Sequence, residues 1–191
     1  MTSTRLATAA VMLFATAALP AGAATDLSLP RFEAVSLKGG GHVMLRHGPK
    51  QQVRILRGDA TVSSFEVRNR SSLEISACDG RCPRDYKLEV EITAPEIDAI
   101  AVTGGGQIDM AAGFPTRSNI ALAVTGGGSI DTRPVEVRQV AAAVEGGGSI
   151  RTWASRNLAA SVRGGGSIAY RGDPTLATSV RGGGTVTRID R

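Results

Sequence analysis

The motif Val-x-Gly-Gly-Gly-x-Ile/Val returns five times in the second half of this 191-residue chain and restricts its fold more than any other feature. The triplets are Gly104, Gly105 and Gly106; Gly126, Gly127 and Gly128; Gly146, Gly147 and Gly148; Gly164, Gly165 and Gly166; and Gly182, Gly183 and Gly184. Val102, Val124, Val144, Val162 and Val180 precede them, and Ile108, Ile130, Ile150, Ile168 and Val186 follow. Successive triplets lie 22, 20, 18 and 18 residues apart. A Gly/Ser linker is a random coil and keeps no apolar register. Here the apolar residues keep their places on both sides of each triplet. The segments leading in, "NIALAV", "QVAAAV", "NLAASV" and "TLATSV", alternate with the period of a strand buried on one face.

The glycines therefore read as corners, where residues that accept positive φ turn the chain between two short strands. A spacing of 18–22 residues suits one coil of a parallel β-helix (β-solenoid), in which stacked coils build a continuous core that one coil cannot. "LKGGGHV", Leu37 to Val43, fits the same template. The first half adds alternating segments, "HVMLRHG", "QVRILRG", "FEVRN", "LEISAC" and "KLEVEITAP", divided by turn signals. No amphipathic helix is predicted beyond the N-terminal segment. The expected class is all-β, with strands over 32–95 and glycine-triplet coils over 96–191, in one domain spanning 24–191.

The N-terminal segment differs. Arg5, the apolar run "LATAAVMLFATAAL" and the small residues of "LPAGAA" have the three regions of a secretory signal peptide, with cleavage expected after Ala23 and after Ala24 as the alternative. The run is short for a membrane span, so the mature chain is expected to be exported, in the periplasm or at the cell surface, without a transmembrane segment. In an oxidising compartment Cys78 and Cys82, flanking the Asp79-Gly80 turn signal, read most simply as a disulfide. A zinc site adding His42 and His47, the two histidines of the chain, is the alternative.

"FEAVSLKGGGHVMLRHG", "VRILRGD", "LEIS" and "LEVEITAPEIDAIAVTGGGQID", in that order, resemble the GIN-domain family of auto-transporter adhesin heads, over residues 32–191. The resemblance implies a parallel β-helix-like fold, favours a right-handed one, and implies exported bacterial proteins with no established enzymatic activity. An auto-transporter also needs a translocating barrel, which nothing in these residues is expected to supply.

The expected function is accordingly an exported envelope or surface module for adhesin-like binding or scaffolding, non-enzymatic and without cofactor or metal. The 4% of aromatic residues argue against nucleic-acid stacking platforms. Residues 151–191 hold seven arginines against Asp173 and Asp190, a local positive field suited to anionic surface ligands such as acidic glycans. Arg151, Arg163, Arg181 and Trp153 are the candidate contacts. Stacked coils would set Thr103, Thr125, Glu145, Arg163 and Arg181 in one ladder and Asp109, Asp131, Arg151, Ala169 and Thr187 in another.

Competing motifs fare worse. "GGGSID" resembles a calcium-binding nonapeptide, but Arg151, Ala169 and Thr187 occupy the aspartate place in three copies. No Lys-Ser/Thr follows the glycines as a phosphate loop requires, and Arg171-Gly172-Asp173 precedes Pro174 and reads as a turn. An enzyme would rest on Asp109 and Asp131, about one strand spacing apart if in register. A structural protein that self-associates into homo-oligomers is the main alternative.

Overall fold

The computed structural model describes residues 24–189. The signal peptide expected over 1–23 lies outside them. The chain forms β1 (Thr25–Leu27), β2 (Ala34–Gly39), β3 (His42–His47), β4 (Gln52–Arg57), β5 (Ser64–Arg68), β6 (Ser72–Ser76), β7 (Glu89–Ala94) and β8 (Ala99–Gly104). Then follow β9 (Gln107–Met110), β10 (Arg117–Gly126), β11 (Ser129–Gly146), β12 (Ser149–Gly164), β13 (Ser167–Arg171), β14 (Thr175–Arg181) and β15 (Thr185–Arg188).

The expected parallel β-helix is corrected by this structure. All fifteen strands join one mixed sheet, in the order β1-β4-β7-β3-β9-β11-β10-β8-β2-β6-β5 with β12 to β15 continuing from β11, curled into a half-barrel. Three pairings are antiparallel: β1 with β4, β4 with β7, and β5 with β6. β11 runs 18 residues and β12 runs 16, so each passes from one glycine triplet to the next without the second corner that a closed coil requires. Register shifts between Asp131 and Glu136 and between Val137 and Gln139 act as bulges, bending the long strand while it stays paired. Curling thus replaces coiling.

Two walls result. Strands entering the glycine triplets pair in parallel register, with Val124 beside Val102 and Val144, and Val162 beside Val144 and Val180. Strands leaving them do the same through Ile108, Ile130, Ile150, Ile168 and Val186. Val102, Val124, Val144 and Val162 are at most 1% exposed, as are Ile108, Ile130, Ile150 and Ile168. Alternation along each strand sends these residues inward, where burial of a Val or Ile side chain contributes about 1.5–3 kcal/mol. Two buried polar side chains, Thr132 and Thr152 on adjacent rungs, share a hydrogen bond of 3.0 Å.

One flank is finished by a loop. Cys78 and Cys82 lie close together there, their Cα atoms 6.0 Å apart. Tyr86 ties this loop to the turn at Asp59: its hydroxyl accepts from the Asp59 N–H at 2.8 Å and lies 2.7 Å from the buried Ser63 hydroxyl. Ser63 donates onward to the Ala77 carbonyl at 2.9 Å.

Candidate functional site

The outward face of the first wall is concave and lined by small side chains. Ser72, Ala34, Ala99, Ala121, Ala141, Ala159 and Ala177 form one unbroken ladder across seven strands. Ser36, Ala101, Ala123, Ala143, Ser161 and Ser179 form a second beside it. Together they floor a trough of about 710 Å³. Seven strands span about 29 Å at the spacing of about 4.8 Å between neighbours.

The rims differ. On one side run Asn119, Gln139, Asn157 and Thr175. On the other run Lys38, Thr103, Thr125, Glu145, Arg163 and Arg181. Arg163 donates to Glu145 at 3.0 Å, a contact between exposed side chains that contributes about 0–1 kcal/mol. The floor is apolar, one rim offers amides and a hydroxyl, and the other ends in cations.

The four binding residues expected from sequence are divided by the corner. Arg163 and Arg181 stand side by side on the trough rim. Arg151 and Trp153 lie past the corner on the second wall, where Arg151 adjoins Asp131 and Ala169. The Arg171 guanidinium sits over the Trp153 ring, 4.3 Å from its centroid, a cation–π contact of about 0.5–1 kcal/mol at an exposed site. Trp153 is thus already engaged.

Asp109 and Asp131 are register partners. Each carboxylate is occupied: Asp109 contacts His42 Nε2 at 2.8 Å and accepts from Gln107 at 2.7 Å. Asp131 accepts from Arg133 Nε at 3.0 Å, and this hydrogen bond raises the already high pKa of the guanidinium. His47 packs edge-on against Phe114, ring centroids 5.4 Å apart. Among the described residues no three His, Cys, Asp or Glu side chains gather as a metal-ligand group.

The alanine floor was missed in the sequence, although its signal was there. "IALAV", "VAAAV" and "LAASV" place alanine at exposed strand positions, where a residue depleted in strands gains little from burial.

Among the described residues the fold is all-β, with an elongated trough of small side chains on one face. A family model described as "Putative auto-transporter adhesin, head GIN domain" matches residues 31–118 and 115–174, and the chain belongs to that family. A crystal structure of a "putative adhesin" from Bacteroides fragilis NCTC 9343 is 20% identical, with a TM-score of 0.56 over 87% of this chain and 96% of that one. A "putative cell adhesion protein" from Clostridium sporogenes ATCC 15579 is 11% identical, with a TM-score of 0.42 over 87% and 98%. A "putative lipid binding protein" from Parabacteroides distasonis ATCC 8503 is 14% identical, with a TM-score of 0.39 over 88% and 96%. At 20% identity the first likeness is one of fold alone. A comparison with curated proteins gave no match. Among the described residues no helix is long and apolar enough to cross a membrane.

Proposed function

We propose that the protein is an exported, non-catalytic, adhesin-like binding module that holds an extended anionic glycan along the trough of the first wall. The observation that carries this reading is the continuous floor of alanine and serine between two unlike polar rims. Exposed strand positions ordinarily carry polar or β-branched residues. Alanine leaves the backbone low and the surface flat, which suits the C–H faces of sugar rings. The rim of Asn119, Gln139 and Asn157 supplies amide donors and acceptors for hydroxyl groups. Arg163 and Arg181 supply planar, bidentate partners for acid groups.

The test is retention on anionic and neutral glycan arrays at two salt concentrations. Binding is expected to be saturable, weaker at high salt, and reduced about tenfold by Arg163→Ala with Arg181→Ala. Ala141→Phe, which fills the floor, is expected to reduce it without unfolding the sheet. Absence of saturable binding, or binding indifferent to Ala141→Phe, would sink the reading.

A further inference from the structure

The two ends of the sheet are finished differently. At one end antiparallel strands close it, with β1 on β4 and β5 on β6. At the other, among the described residues, β14 pairs with β12 alone and β15 with β13 alone, so each leaves one backbone edge open. The side chains at this end belong to the core ladders. Leu158 and Val162 are 1% and 0% exposed, whereas their register successors Leu176 and Val180 are 42% and 44% exposed. A long, apolar strand edge is a template for another strand, and natural proteins blunt such edges with charge, proline or a bulge. In β14 the charge is confined to its last residue, Arg181, and the proline to the position before the strand, Pro174. Thr175 to Val180 are left without charge, proline or bulge.

We propose that β14 pairs antiparallel with β14 of a second copy of this chain, about a two-fold axis at Thr178. Three relations select a second copy. Leu176 and Val180 stand two residues to either side of Thr178, so the axis sets Leu176 opposite the partner's Val180 and covers both in each copy. Arg181 then faces the partner's Thr175 rather than another arginine, which avoids like charges directly opposite. On the outward face Ala177 meets the partner's Ser179, and the small-residue floor continues across the junction. An isologous contact of this kind closes at two copies.

Sedimentation of the purified protein, from low to about 200 µM, tests it together with directed cross-linking. The wild type is expected to dimerise, and Val180→Lys to raise the dimer Kd at least about tenfold while the β-sheet circular dichroism is unchanged. In a background of Cys78→Ser with Cys82→Ser, Thr178→Cys is expected to oxidise to a covalent dimer faster than Ser179→Cys, because the axis sets position 178 against itself. This second readout serves even where Val180→Lys impairs folding. A protein monomeric throughout, a dimer indifferent to Val180→Lys, or cross-linking no faster at 178 than at 179 would each overturn the proposal.

Discussion

Gly146 lies against Gly126 so closely that a β-carbon on Gly146 would stand 2.7 Å from the Gly126 carbonyl oxygen. That same oxygen accepts the N–H of Gly147 at 3.0 Å. Gly146 also has a φ of 109°, a conformation in which L side chains are strained. The corner is therefore closed by backbone packing on backbone, with no room for a side chain.

Gly146→Ala should accordingly destabilise the protein by about 2–3 kcal/mol, since positive φ and a backbone clash add. Gly147→Ala should be neutral or slightly stabilising, because a β-carbon there meets nothing within 4 Å and its φ is not positive. Urea unfolding of both variants checks the contrast. Equal losses would refute the account of the corner.

Core rungs should behave as one packed body. Ile150 is 0% exposed and is flanked by Ile130 and Ile168 on adjacent strands. Ile150→Ala should cost about 2–5 kcal/mol through lost transfer energy and the cavity left behind. Leu176→Ala, at 42% exposure, should cost clearly less in the monomer. Chemical denaturation at low protein concentration compares them.

Acid should weaken the pairing of β2 with β6. The hydrogen bond from Lys38 holds the Glu74 carboxyl below its ordinary value of 4.5, with Arg68 and the Lys38 charge adding to the effect. A carboxylate whose folded pKa is depressed stabilises the fold fully above its unfolded pKa, and this contribution is lost as pH falls through the folded value. Glu74→Gln should therefore lower stability near neutrality, where this contribution is fully present, and change little well below about pH 4.5, which flattens the acid side of the profile. Thermal melts from pH 7 downward would show it. A wild-type-like profile in the variant would refute the assignment.

The Cys78–Cys82 bond should be a local brace. A loop this short constrains little unfolded-state entropy, so removing it should cost about 2 kcal/mol or less. Tyr86→Phe, which withdraws the hydroxyl shared by the exposed Asp59 N–H and the buried Ser63, should cost about 0.5–1.5 kcal/mol, the net worth of an ordinary hydrogen bond. Melting with and without reductant separates the two effects. A reductant-induced loss far above 2 kcal/mol would mean that the loop holds the sheet itself.

Alternation of small and large residues around each glycine triplet was enough to assign strands, inward faces and corners. Those depend on contacts a few residues apart: Val124 and Ile130 flank one triplet, and both are 1% exposed. Family membership was legible too, because it rests on the order of motifs. Strand direction was not. An alternating segment such as "QVRIL" serves parallel and antiparallel ladders equally, and β4 became antiparallel to β7 through pairing across the sheet. Nor could periodicity show that β11 continues unbroken from Ser129 to Gly146, since bulges bend a strand without altering which residues are apolar. Tertiary structure alone turned outward alanines into a trough, because concavity belongs to seven strands together. It also exposed Leu176 and Val180, which carry the same pattern as Leu158 and Val162 and differ in having no neighbouring strand, among the described residues, on their far side.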